Sequence, residues 1–152
     1  MSTDHVQQQI LDWLIALIKA AETDAGLEVG DEDRLRGWQQ GTLPAVVVEG
    51  PGGGELAGDL GEDLDRAFDV SVRCLVSGSD GVARAARRLA AQVERAIGSS
   101  LALVDTPFID GDLVSEPSYQ SSDEGEQLCG AVTQLWKFTY RTNRADATVS
   151  VH

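Results

Sequence analysis

Residues 68–76 read Phe68-Asp69-Val70-Ser71-Val72-Arg73-Cys74-Leu75-Val76, an apolar set at every second position. A period of two marks a strand with one face in a core and the other turned outward. Ser77-Gly78-Ser79-Asp80 ends the run and offers a helix N-cap. The period then changes. Val82, Ala86, Leu89, Ala90, Val93 and Ile97 recur at three- and four-residue steps until Gly98 supplies a stop. Strand, tight turn and amphipathic helix in succession predict an α+β domain.

Upstream, Val6, Ile10, Trp13, Leu14, Leu17, Ile18 and Ala21 make one apolar stripe, predicting a first helix. Asp4 with Gln7 fits a capping box, and Gly26 fits a stop. Residues 27–43 are acidic and aperiodic, which reads as a loop. Pro44 through Glu49 reads as a short strand with the proline at its permitted first position. The stretch 50–61, GPGGGELAGDLG, reads as a long mobile loop centred on Gly52, Gly53, Gly54 and Glu55.

Downstream, an extended stretch at 101–104 leads to a third strand near Leu113–Tyr119, weakened by Pro117. A polar acidic turn over 121–126 precedes the last strand, where Val132, Trp136, Phe138 and Tyr140 share the inward parity. Residues 143–152 are expected to fray as a flexible tail. The expected architecture is therefore one domain over 1–142. It holds a four-stranded mixed or antiparallel sheet with both helices on one face, in the order α-β-β-α-β-β. The outward face would carry Arg73, Leu75, Thr133, Leu135 and Lys137, either as a partner contact or as an ordinary amphipathic surface.

A chain of 152 residues is long enough to hold a core without metal or disulfide. Its 25 acidic and 12 basic residues give −13, which disfavours duplex DNA or an anionic membrane as the partner. The charge is segregated. Residues 22–65 hold 12 acids against Arg34 and Arg36, and residues 105–126 hold seven acids and no base. Residues 80–97 carry Arg84, Arg87, Arg88 and Arg95 within about 100° of the helix surface. That stripe fits a solvated face, an acidic patch on a neighbouring copy, or, against the charge of the rest, a nucleic acid.

Catalytic chemistry finds little purchase. The two histidines, His5 and His152, sit at the chain ends, where a rigid setting for acid–base work is hard to build. Cys74 falls on the inward parity and Cys129 begins the last strand, so both read as structural thiols. A bridge between them is open on geometry and opposed by the reducing compartment that so few cysteines suggest. Gly50-Pro-Gly-Gly-Gly54 lacks the Lys-Ser/Thr ending of a phosphate loop and is flanked by Glu49, Glu55 and Asp59. Asp59, Glu62, Asp63 and Asp65, or Asp110 with Asp112, could attract a divalent cation weakly, but without EF-hand spacing. No metal, cofactor or catalytic residue is expected. The N-terminus lacks a basic n-region and its apolar run is interrupted by Asp12 and Lys19, so neither a signal peptide nor a membrane span is expected.

The order of elements, the Leu43-Pro44-Ala45-Val46-Val47-Val48 strand and the Trp136-Lys137-Phe138-Thr139-Tyr140-Arg141-Thr142 ending resemble the tail terminator proteins of long-tailed phages. That is the minor tail protein U family of lambda-like phages. The similarity covers residues 4–142, with a longer first helix and a more glycine-rich loop after Glu49 than the family pattern. The resemblance implies a non-enzymatic virion protein at the head-proximal end of the tail. Such proteins form a hexameric ring on the last ring of major tail tube protein, stop tube polymerisation and meet the head–tail connector or stopper. DNA would pass through the ring lumen without specific binding. On this reading Arg84, Arg87, Arg88 and Arg95 face an acidic segment of the adjacent copy. Arg73, Leu75, Leu135 and Lys137 supply a second ring contact, and the 50–61 loop orders on assembly. A head-to-tail connector or completion protein is the alternative, followed by a small acidic cytoplasmic binding module and, last, a carboxylate-dependent hydrolase.

Overall fold

The computed structural model describes residues 4–31, 43–50, 56–60, 63–101, 106–124 and 127–151. The elements run α1 (Val6–Ala20), β1 (Val29–Gly30), β2 (Ala45–Glu49), β3 (Leu56–Leu60) and β4 (Asp63–Gly78). They continue with α2 (Val82–Ser100), β5 (Asp110–Leu113), β6 (Ser118–Glu124), β7 (Gln127–Asn143) and β8 (Asp146–Ser150). None of the described helices is long and apolar enough to cross a membrane.

The expected four-stranded sheet in the order α-β-β-α-β-β is incorrect. Among the described residues eight strands form one mixed sheet, ordered β1-β2-β4-β7-β5, with β3 paired to β4 and both β6 and β8 paired to β7. Its backbone is the antiparallel ribbon of β4 and β7, in register from Asp63 opposite Asn143 to Gly78 opposite Leu128. Every other described strand except β1, which pairs in parallel with β2, lies on an outer edge of that ribbon. β2 and β3 share the free edge of β4, while β5, β6 and β8 share that of β7.

The extra strands arise where sequence patterning is weakest. Part of the glycine-rich stretch, Leu56–Leu60, pairs with the N-terminal end of β4 through an irregular register. The single strand expected near 113–119 is two, β5 and β6, separated around Pro117, which can donate no ladder hydrogen bond. The acidic segment expected as a turn belongs largely to β6, with Ser121 opposite Gly130 and Ser122 opposite Cys129. The tail expected to fray instead forms β8, tied by Gln9 Nε2 donating to the Thr148 carbonyl at 2.7 Å. The caps also differ. His5, not Asp4, caps α1 by accepting from Gln7 N at 3.1 Å. Gly81, at φ 64, occupies the N-cap of α2, which was expected from the Ser77–Asp80 turn just before it. A left-handed φ at that position suits glycine.

Alternation on β4 and β7 builds the core. Phe68, Val70, Val72 and Cys74 meet Val132, Trp136, Phe138 and Tyr140 on the face covered by the two described helices. Helix α1 contributes Val6, Ile10, Leu14 and Ile18; α2 contributes Val82, Ala86, Leu89, Val93 and Ile97. Each large side chain so buried stabilises by about 1.5–3 kcal/mol. Phe108 completes the aromatic packing, 4.9 Å from both the Trp13 and the Phe138 ring centroids. Polar groups also lie within this layer, Gln134 and Thr142 among them. Gln134, 0% exposed, donates through Nε2 to the Ala90 carbonyl at 2.7 Å and accepts from Trp136 Nε1 at 3.1 Å. It fixes α2 over β7. At Gly130 the start of α2 comes so close that a Cβ would lie 2.6 Å from Val82 Cγ1.

Candidate assembly surfaces

Helix α2 buries one side and turns its arginines to the other. Spacings of three, four and seven residues bring Arg84, Arg87, Arg88 and Arg95 onto one exposed strip. Within the chain they are treated differently. The Arg87 guanidinium lies 5.1 Å from the centroid of the Tyr119 ring, a cation–π contact with β6. Arg88 Nε pairs with Asp24 Oδ2 at 3.1 Å, which is surface-exposed and worth under about 1 kcal/mol. Arg84 and Arg95 are exposed and meet no carboxylate among the described residues.

Odd-numbered positions of β4 and β7 form the opposite face of the sheet. Arg73 Nη1 reaches Glu49 Oε1 at 3.5 Å across the β2–β4 pair. Leu75 is half-buried beside it, opposite Ala131. Lys137 is exposed, with Asp69 opposite it on β4 and Asp112 opposite it on β5. One row along, Leu135 is 46% exposed, and Val114, 56% exposed, donates its backbone N–H to the Leu135 carbonyl at 2.8 Å. Val114 escapes sequence reasoning because it follows β5 rather than lying in a periodic run. Nearer the β8 end, Arg141 Nε donates to Asp65 Oδ1 at 2.6 Å.

The two expected contact surfaces thus lie on opposite sides of the molecule: the α2 arginines above the core-facing side of the sheet, Arg73, Leu75, Leu135 and Lys137 on the other. The expected mobile residues Gly52, Gly53, Gly54 and Glu55 lie outside the described residues. Two shallow hollows accompany the surfaces. One, of about 300 Å³, runs between α2 and β6 and is lined by Arg87, Glu94, Glu116, Tyr119 and Gln134. The other, of about 180 Å³, lies on the opposite face beside Arg73, Leu75, Gln120 and Ser122.

The reactive groups are held in structural settings. Burial pushes the Cys74 thiol up to about 12, leaving it protonated at neutral pH. Cys74 sits opposite Val132 on the helix side, whereas Cys129 sits opposite Ser77 on the other parity, and no disulfide joins them. The pKa of His5 is lowered by burial and then by the nearby Arg66 charge, so its Nδ1 stays an acceptor for the helix cap. Among the described residues no three His, Cys, Asp or Glu side chains gather to hold a metal ion. Asp110 instead binds the backbone N–H of Gly111 at 2.8 Å.

Neither a family model nor a curated protein matches this sequence. Among solved structures, a chain from the virion of a native gene transfer agent (GTA) particle superposes with a TM-score of 0.52. The alignment covers 89% of this chain and 92% of that one at 17% identity. That virion chain shares this fold. A second solved structure aligns over 87% of this chain and 89% of its own at 14% identity, with a TM-score of 0.39.

Proposed function

We propose that this chain is a structural protein of a phage-like virion and forms a ring that caps the head-proximal end of the tail tube. The observation that carries the reading is the reciprocal coverage of the gene transfer agent virion chain, 89% of one and 92% of the other. Nearly the whole length of each chain takes part in the superposition. The tail terminator resemblance over residues 4–142 narrows the role to ending tube polymerisation and receiving the connector, with six copies in the ring. Its partners are further copies of itself, the major tail tube protein and the head–tail connector or stopper. No catalytic step or cofactor enters this role.

The surfaces support assembly. Arg84, Arg87, Arg88 and Arg95 form one candidate subunit contact, and Arg73, Leu75, Leu135 and Lys137 form the other. Gly52, Gly53, Gly54 and Glu55, between β2 and β3 in the chain, are the candidate assembly-loop residues. At −13 per copy, a ring lumen would repel DNA and let it slide through without specific binding.

The test is electron microscopy of particles assembled without this protein, with rescue by the intact chain. Overlong tails detached from filled heads are expected. Tails of normal length that fail to join heads would assign it to the connector instead. Normal infectious particles would refute a virion role and favour a small binding module.

A further inference from the structure

The two candidate contacts carry opposite charge where the chain itself leaves charge unmatched. On α2, Tyr119 and Asp24 engage Arg87 and Arg88, while Arg84 and Arg95 project without a carboxylate among the described residues. Eleven residues separate Arg84 from Arg95. They stand about 16 Å apart and within about 20° of one another around the helix. Ala91, exposed and small, lies between them and leaves a low saddle in the ridge.

On the opposite face of the sheet, Asp69, Asp110 and Asp112 are all exposed. Asp69 and Asp112 flank Lys137 in one cross-strand row, and Asp110 lies two residues further along β5, opposite Thr139. Strand spacing makes the cluster about 12 Å across. One positive charge among three carboxylates leaves it negative. The adjoining row holds the exposed apolar pair Leu135 and Val114.

We infer that these two surfaces are the halves of one interface: α2 of one copy lies on the outer sheet face of the next. Arg84 and Arg95 meet Asp69, Asp110 and Asp112, and the Ala91 saddle admits Leu135 and Val114. The flexible arginine stems let both guanidinium groups converge on the acidic cluster. A second copy as the occupant rests on the ring reading above; the choice of surfaces rests on charge complementarity and the exposed apolar pair.

Because the two halves lie on opposite faces, one copy cannot close both contacts with the same neighbour. Each copy offers α2 to one neighbour and its sheet face to another. Such head-to-tail contacts generate a closed ring when the rotation permits and a filament when it does not.

Two charge-reversed variants of the full chain test this. The first is Arg84→Glu with Arg95→Glu, and the second is Asp69→Arg with Asp112→Arg. Analytical ultracentrifugation over a concentration series should show the unaltered chain associating, and less so as salt rises. Each variant alone places like charges across the contact and should associate at least about 10-fold more weakly. An equimolar mixture should recover association, because every contact then joins an acidic surface to a basic one.

Variants that associate like the unaltered chain would overturn the interface and leave the ring reading standing. So would a mixture that stays dissociated. An unaltered chain that is monomeric at all concentrations also overturns it; tube capping is judged separately by tail length in particles. Should either reversal fail the circular dichroism check for folding, the neutral Arg84→Gln with Arg95→Gln and Asp69→Asn with Asp112→Asn take their place. Those pairs are expected to weaken association and flatten its salt dependence, and an unchanged dependence would overturn the proposal.

Discussion

Replacing Gln134 with leucine removes the polar clamp between β7 and α2 while nearly conserving volume. Two hydrogen bonds disappear, to the Ala90 carbonyl at 2.7 Å and from Trp136 Nε1 at 3.1 Å. The carbonyl keeps its helical partner and loses little. The indole N–H has no such reserve: Trp136 is 3% exposed, so its donor would be stranded from water. An unmet buried donor costs about 1–3 kcal/mol, and the more apolar leucine offsets part of that. Gln134→Leu is therefore expected to destabilise the domain by about 2 kcal/mol. Urea unfolding followed by tryptophan fluorescence would read this as a midpoint lowered by about 1 M, given a slope of about 2 kcal/mol/M. Combining it with Trp136→Phe removes the stranded donor, so the double variant should cost about 1 kcal/mol less than the sum of the singles. A midpoint unchanged by Gln134→Leu, or strictly additive costs, would refute the clamp.

Stability should also depend on pH through His5. Its folded pKa lies below the ordinary 6.5, because burial and Arg66 oppose the proton. The unfolded chain then binds that proton more readily. The stabilisation is complete above 6.5 and is lost as pH falls towards the folded value. His5→Asn keeps a capping acceptor without titrating, so its urea midpoint should fall less than that of the unaltered chain between pH 7.5 and 5.5; parallel profiles would dismiss the assignment. Two glycines should respond in opposite directions to alanine. Gly98 is an exposed helical position where a Cβ meets nothing within 4 Å, so alanine should stabilise by about 0.5–1 kcal/mol. At Gly130 a Cβ would lie 2.6 Å from Val82 Cγ1 and 2.8 Å from the Tyr119 hydroxyl, so alanine should cost about 1–3 kcal/mol in thermal unfolding.

The parts legible in the sequence are those whose own periodicity reports their burial. Val6, Ile10, Leu14 and Ile18 repeat at helical spacing and are all fully buried, and Phe68 to Cys74 alternate as the ribbon requires. Strands β3, β6 and β8 carry no such record. Residues 118–124 read Ser-Tyr-Gln-Ser-Ser-Asp-Glu, and only the pairing with β7 makes them a strand. Their extended form comes from a partner reached through a turn, not from a buried face of their own. The site divides the same way. Helical spacing collects four arginines, but nothing local announces that Asp24 and Tyr119, both distant in sequence, engage two of them. Nor does a period mark Val114, which joins the apolar row only because β5 delivers it beside Leu135.

The β4–β7 ribbon carries a consequence for synthesis. Its pairings join residues 63 and 143 at one end and 78 and 128 at the other, so β4 waits for nearly the whole chain before its long partner exists. Helix α2 can form early from local contacts, but it then covers half a core. Contacts this distant slow folding and leave apolar edges open in the interval. The acidic and apolar row on the outer face also draws on both ribbon strands, with Asp69 from one and Leu135 and Lys137 from the other. A prematurely terminated chain therefore cannot display a finished sheet face to a neighbour. The fold itself makes completion of translation a condition for entry into the proposed assembly.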